Sequence, residues 1–487
     1  MSAATAAQPT ALHSQVRRAL IWRTTSQLAA QSIQWASTFL VIRILSPRDY
    51  GLFAMTQVVL VLLNMANGYG LASGLIQQRE VSERQVRQLF GMLLVLNLGL
   101  GAAQALLAPL AATYYHQPMV ADLLRVQALL YVATPFIALP YAQLSRTMEF
   151  RQQATANMAS SVAAALAALF GALGGMGVWT LVLAPLVLFG TRAVLMTRAA
   201  GPVRPIFDLR GAGALARFGG VMAAGQMFWF LQSQADVFIA GRRFSPHALG
   251  LYSTGLLLTQ IFVAKVLPPL NEVAFSAYAR INDGENGELG SAFVQATRIV
   301  MAAALPFCLG LAATAQPLVL TVLGAKWADA APVVRVLALA MPFMTMQVML
   351  SPACDARGRP GIGVRNGATG AAIMVSAFAL GVAHGPIGLA WAWVAAYPLY
   401  LAASLWRSLP VIGAAPRALA RAVAAPAAAA VAMALLVVAV DGFLPPLPPP
   451  VRLALLVATG AGGYVGALRL AAPPLIGEIV ALARRPA

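Results

Sequence analysis

Chemistry in a mostly apolar chain falls to its few ionisable side chains. Asp236 lies in the apolar run from Val221 to Ala240, and Lys265 in the next run, from Leu249 to about Phe275. Arg23 and Arg43 flank the first apolar run, Arg242 and Arg243 end the one that holds Asp236, and Glu272, Arg298 and Arg335 lie near other run ends. A charge at membrane depth costs from about 2.5 kcal/mol upward, so each is a candidate for function. Asp236 and Arg243 are two helical turns apart and share a helix face. Asp236 therefore either pairs with an arginine, fixing a bundle, or binds a coupling cation, a proton or sodium. Lys265 either works at depth or snorkels to the surface. Arg43 and Arg242 either line a cavity or anchor to headgroups.

Amides form a second set. The first run carries Gln27, Gln31 and Gln34, and the Asp236 run carries Gln226 and Gln232, with Trp35, Trp229 and Phe230 close by. Amides beside aromatic rings suit a wet, sugar-tolerant surface; the competing use is hydrogen bonding between packed helices. A cavity rich in arginine and poor in acids attracts anions. The guanidinium fork holds two phosphate oxygens at once. The substrate class this suggests is a phosphate-bearing lipid.

The elements that must position these residues are membrane helices. The chain of 487 residues is 60% hydrophobic and 10% charged, with mean hydropathy +0.76. A soluble domain carries roughly 25% charge. This chain cannot cover a globular surface with polar groups, so its solvent is lipid. Apolar runs punctuated by Arg, Pro and Gly predict about fourteen spans of about 20 residues. The net charge of +18 would suggest nucleic acid in a soluble protein. Here the arginines lie between apolar runs and read as topology signals, with no nucleic-acid partner expected. Clusters at Arg79 to Arg87, Arg146 to Arg151, Arg192 to Arg217, Arg357 to Arg365, Arg407 to Arg421 and Arg484 to Arg485 alternate with nearly bare connectors. Arg17, Arg18 and Arg23 hold the tail on the same side. This bias predicts both termini in the cytoplasm, with no cleavable signal peptide.

The chain also repeats itself. Arg43-Ile44-Leu45-Ser46-Pro47-Arg48-Asp49-Tyr50-Gly51-Leu52-Phe53 returns as Arg242-Arg243-Phe244-Ser245-Pro246-His247-Ala248-Leu249-Gly250-Leu251-Tyr252, an offset of 199 residues. Self-similarity at a long fixed period indicates a chain built twice. Six spans per copy is an even number, so both copies insert the same way up, related by an axis along the membrane normal. The expected architecture is an all-α membrane protein: two like-oriented six-helix lobes around a central cavity, plus two C-terminal helices. The expected divisions are a cytoplasmic tail (1–20), an N-terminal lobe (21–210), a C-terminal lobe (211–410), and two extra spans with a cytoplasmic tail (411–487).

Enzyme signatures are missing from the sequence. There is no His/Glu metal motif and no phosphate-binding Walker loop. His13, His116, His247 and His384 lie apart, and no strand precedes the glycines from Gly358 to Gly363. Cys308 and Cys354 fall in apolar runs and read as small buried side chains. No cofactor and no metal is expected. Without a soluble nucleotide-binding domain, any driving force is an ion gradient, the membrane potential or the substrate gradient.

Three stretches, in order, resemble the polysaccharide-transporter branch of the multidrug/oligosaccharidyl-lipid/polysaccharide exporter superfamily. They are Leu45-Ser46-Pro47-Arg48-Asp49-Tyr50-Gly51-Leu52, then Gln234-Ala235-Asp236-Val237-Phe238-Ile239-Ala240-Gly241 leading to Gly250-Leu251-Tyr252, then Gly324-Ala325-Lys326-Trp327-Ala328-Asp329-Ala330-Ala331-Pro332 leading to Leu337-Ala338-Leu339. The resemblance implies a bacterial inner-membrane flippase. Such a protein moves undecaprenyl-diphosphate-linked oligosaccharide repeat units outward by alternating access, for O-antigen, capsule or exopolysaccharide assembly. Asp236 corresponds to a recurrent acidic position of the family. The rivals are an ion-coupled multidrug antiporter of the same superfamily and a membrane polymerase or acyltransferase. Cationic drugs call for several cavity acids, and only Asp236 is clearly at depth. A polymerase or acyltransferase calls for a long outer loop or a His-centred site.

Overall fold

The computed structural model describes residues 31–67, 81–208, 212–281, 288–473, 475 and 477. Among them every regular element is helical. In lipid each backbone N–H and C=O must be satisfied within its own segment, so long apolar runs become helices. Ten segments of the described residues are long and apolar enough to cross a membrane. The expected start of the first span at Trp22 lies outside the described residues, as do Arg17, Arg18, Arg79, Arg210, Arg484 and Arg485. The chain divides into two compact units, residues 1–226 and 227–487.

The first unit holds α1 over 31–44, α2 (Pro47–Asn64), α3 (Glu83–Tyr115), α4 (Pro118–Gln127), α5 (Leu129–Ala133), α6 (Pro135–Arg146), α7 (Phe150–Leu173) and α8 (Val178–Ala200). The boundary between the units falls inside α9 (Ala212–Arg243).

The repeated Ser-Pro is a helix start. Ser46 caps α2: its Oγ accepts from the Asp49 N–H, and the Asp49 carboxylate accepts from the Ser46 N–H at 2.9 Å. Pro47 at the first helical position costs nothing, because that N–H has no helical partner. The second copy repeats the cap at α10 (Pro246–Thr259), where Ser245 Oγ accepts from the Ala248 N–H at 3.2 Å. Ala248 cannot return the favour, so only the first copy has the reciprocal box. Asp49 has a second neighbour. The α7–α8 turn bends through Gly175 and Gly177 at φ +73° and +54°. A Cβ on Gly177 would stand 3.1 Å from Asp49 Oδ1. The acid that sets the first copy apart thus closes a helix cap and abuts a hairpin.

Buried amides tie the first unit together. Gln104 Nε2 donates to the Leu124 carbonyl at 2.8 Å, and Gln127 Nε2 to Thr56 Oγ1 at 3.1 Å. In an apolar surround such bonds fix which helices pair and at what register.

The second unit continues with α11 (Ile261–Ile281), α12 (Glu288–Ala313), α13 (Ala315–Val322), α14 (Ala331–Val348), α15 (Leu350–Ala356), α16 (Gly361–Gly381), α17 (Gly385–Ile412), α18 (Pro416–Phe443) and α19 (Pro449–Ala471). Helix α12 packs on both α14 and α18, and α16 pairs with α17. Cys308 and Cys354 are buried and unpaired, as small apolar fillers. Trp327 is fully buried in a short 3₁₀ turn that follows Gly324 at φ +98°. The Gly-Ala-Lys-Trp stretch is therefore an anchor between α13 and α14. The proline run is extended at Pro448 and supplies the first residue of α19. It is clamped where Arg452 Nε donates to Asp441 Oδ1 at 2.6 Å.

Candidate functional site

The site lies within the second unit and is built on α9, α10 and α17. Asp236, on α9, is fully buried. Each of its oxygens accepts one hydrogen bond. Oδ1 takes the Val237 N–H at 2.7 Å, and Oδ2 takes the Tyr252 hydroxyl, from α10, at 2.6 Å. The Tyr252 oxygen in turn accepts from Trp393 Nε1, on α17, at 2.8 Å. One carboxylate, one phenol and one indole thus link three helices by two polar bonds. Among the described residues no lysine or arginine stands within ion-pair distance of Asp236.

The chain of aromatic groups runs on along α17. Trp393, Tyr397 and Tyr400 follow at spacings of four and three, which places them on one face. Trp393 stacks on Tyr397 with centroids 5.3 Å apart, and Tyr397 meets Tyr400 at 5.9 Å. Tyr400 Oη accepts from Gln347 Nε2, on α14, at 2.6 Å. One turn before Asp236, Gln232 Nε2 donates to the Gly367 carbonyl of α16 at 2.9 Å. Gly370 makes this meeting fit, because a Cβ there would lie 2.5 Å from Tyr400 Cζ and 2.8 Å from Gln232 Oε1.

The sequence candidates divide by place. Asp236 and Gln232 sit on successive turns of α9, the first buried and the second half-buried and bonded. The structure does not give Asp236 an arginine. Arg243 is exposed at the last turn of α9, because the chain leaves the packed stretch at Phe244 to begin α10. The carboxylate takes the neutral donors of α10 and α17 instead. Arg43, Arg242, Lys265, Gln34 and Gln226 are exposed, and Gln31 is half-buried. Arg23 and Gln27 lie outside the described residues.

Sequence reasoning missed Tyr252, Trp393, Tyr397, Tyr400 and Gln347. The repeat held a signal for the first of them. At the 199-residue offset Asp236 falls on Ser37 and Tyr252 on Phe53. The two atoms that bond in the second copy are the two that the first copy lacks. Trp393, Tyr397 and Tyr400 gave the signal of a polar-tipped aromatic stripe, which apolar patterning alone absorbs into a generic span.

Ten described segments long and apolar enough to cross a membrane, with a buried carboxylate inside one unit, mark a multi-pass membrane protein. Solved structures share the fold. The lipid II flippase MurJ, in an inward closed conformation, superposes with a TM-score of 0.75 at 12% identity, covering 94% of this chain and 100% of that one. A multidrug resistance MATE family transporter of the MOP superfamily, inward-facing, gives 0.62 at 15% identity over 78% of this chain and 95% of that one. These likenesses are of fold. The model of the polysaccharide biosynthesis protein family matches residues 40–332, and the chain belongs to that family. Its relatives include the succinoglycan biosynthesis transport protein ExoT of Rhizobium meliloti (strain 1021), 28% identical over 69% of this chain and 68% of that one. The teichuronic acid biosynthesis protein TuaB of Bacillus subtilis (strain 168) is 24% identical over 55% of this chain and 56% of its own length. The lipopolysaccharide biosynthesis protein WzxC of Escherichia coli (strain K12) is 25% identical over 61% of this chain and 60% of its own length.

Proposed function

We propose that the protein is a bacterial inner-membrane flippase for lipid-linked oligosaccharide repeat units. It carries undecaprenyl-diphosphate-linked units outward by alternating access, for O-antigen, capsule or exopolysaccharide assembly. The observation that carries this reading is family membership over residues 40–332, with one relative named for transport in succinoglycan biosynthesis. The fold is one that a protein named as a lipid II flippase also has, so it is compatible with a lipid-linked substrate. It is a transporter and catalyses no bond change. About fourteen spans, six to a lobe and two more, with both termini cytoplasmic, fit the alternation of basic and bare connectors.

Asp236 supplies the coupling. A buried carboxylate without a counter-charge is a ready acceptor for a proton or sodium. Tyr252 and Trp393 hold it at the meeting of α9, α10 and α17, so its occupancy bears on how those helices pack. Gln31, Gln34, Gln226 and Gln232 serve the glycan, with Gln27 from the undescribed segment. Arg43, Arg242, Arg243 and Lys265, with Arg23, serve the diphosphate. In a deletion strain, lipid-linked repeat units should accumulate on the cytoplasmic leaflet. Normal polymer without accumulation would exclude the proposal.

A further inference from the structure

A second basic site lies away from Asp236, at the other end of the α16–α17 pair. Arg359, Arg365 and Arg407 line a cleft of about 490 Å³ together with Gly361, Ile362 and Trp406. No acidic side chain lines it. Arg407 is fixed: its Nη1 donates to Thr369 Oγ1 at 2.7 Å and to Asn366 Oδ1 at 3.4 Å. Among the described residues no carboxylate stands within ion-pair distance of Arg359, Arg365 or Arg407. Helix α16 begins at the cleft, and its N-terminus has no side-chain cap. The Ile362 N–H is taken by the Arg359 carbonyl at 3.1 Å, so this 21-residue helix adds the positive end of its dipole, and not a row of free amides, to the three guanidinium groups.

An exposed apolar stripe runs beside the cleft. Along α17, Trp391, Leu399 and Trp406 are 52%, 63% and 76% exposed. They fall on the face opposite Trp393, Tyr397 and Tyr400. An exposed apolar stripe on a spanning helix faces acyl chains, and a tryptophan at its end marks the headgroup level. Arg359, just before α16, and Arg407, in the last turns of α17, belong to two of the arginine clusters of the sequence. A soluble anion needs no such stripe, whereas a phospholipid uses both halves of the site.

We propose that this cleft binds the phosphodiester headgroup of an anionic bilayer phospholipid, with the acyl chains against Trp406 and the α17 stripe. Basic pockets between spanning helices on the cytoplasmic side hold anionic headgroups in this way. The site is independent of what the protein transports.

The test is native mass spectrometry of the purified full-length protein titrated with phosphatidylglycerol or phosphatidylcholine. Wild type should retain phosphatidylglycerol in preference. The double variant Arg359→Gln/Arg365→Gln should lose phosphatidylglycerol affinity by roughly thirtyfold, the share of two arginines at an anionic surface. Its phosphatidylcholine binding and melting temperature should stay at wild-type values, since both arginines are exposed. Equal retention of the two lipids would overturn the proposal. So would unchanged phosphatidylglycerol binding in the double variant, or displacement by equimolar inorganic phosphate, which would mark a free-anion site. In a third titration, with an undecaprenyl-diphosphate lipid, a loss in the double variant confined to that lipid would assign the cleft to substrate and also overturn the proposal.

Discussion

Replacing Asp236 by Asn should lower transport per folded molecule at least about tenfold, the equivalent of 1.4 kcal/mol. Asn fills the same space but cannot reproduce the bonding. Both Asp236 oxygens accept, from the Val237 N–H and the Tyr252 hydroxyl. An amide turns one acceptor into a donor, so one buried donor is left facing another. A buried unsatisfied group costs about 1–3 kcal/mol. The variant also removes the carboxylate that the proposed coupling role requires. Tyr252→Phe separates the two effects. It removes the donor to Asp236 and the acceptor for Trp393 Nε1 but keeps the carboxylate. It should therefore destabilise to a similar extent yet retain more transport. The check is glycan-lipid translocation normalised to monodisperse protein, alongside thermal unfolding in detergent. Equal transport in Asp236→Asn and wild type would remove Asp236 from coupling.

The largest effect on stability is expected at Gly290. This residue is buried near the start of α12, and a Cβ there would lie 2.2 Å from the Gly413 carbonyl oxygen and 2.7 Å from its carbon. The neighbour is backbone, just past the end of α17, so no side chain can rotate aside. Gly413 is itself held at φ +79°, where it closes α17 with its N–H on the Leu409 carbonyl. Overpacking a well-filled core costs about 1–3 kcal/mol, and a rigid neighbour puts Gly290→Val at or above the upper end. Its melting temperature should fall by several degrees. Gly466→Ala is the matched comparison. It lies in α19 with nothing within 4 Å of the added carbon, so its unfolding should stay close to wild type. Equal melting temperatures for Gly290→Val and Gly466→Ala would contradict the close approach of α12 to the α17 end.

The fold was largely legible because lipid admits few solutions. A run such as Leu389 to Leu401, without a charge and broken only by Pro398, reads as a helix in lipid. Ser46-Pro47 and Ser245-Pro246 were legible as a repeat but not as caps, since the cap depends on a side chain reaching three residues onward. The candidate site was half legible. Asp236 stands out as an acid in an apolar run. Its partner did not, because Tyr252 lies 16 residues away and Trp393 141 residues beyond that. Spacing along one helix favoured Arg243, whereas the pairing was decided by helices that only the tertiary fold brings together. The Arg359–Arg407 cleft was legible only as a charge bias. Its geometry needed the antiparallel pairing of α16 and α17.

A flippase moves its glycan lipid across a bilayer. The direct measurement is translocation in proteoliposomes holding the purified protein and an undecaprenyl-diphosphate oligosaccharide, with a membrane-impermeant glycan-modifying enzyme added outside. A flippase should expose nearly all of the glycan to that enzyme over time, under an applied ion gradient. Modification limited to the outer-leaflet share, as in protein-free liposomes, would contradict it.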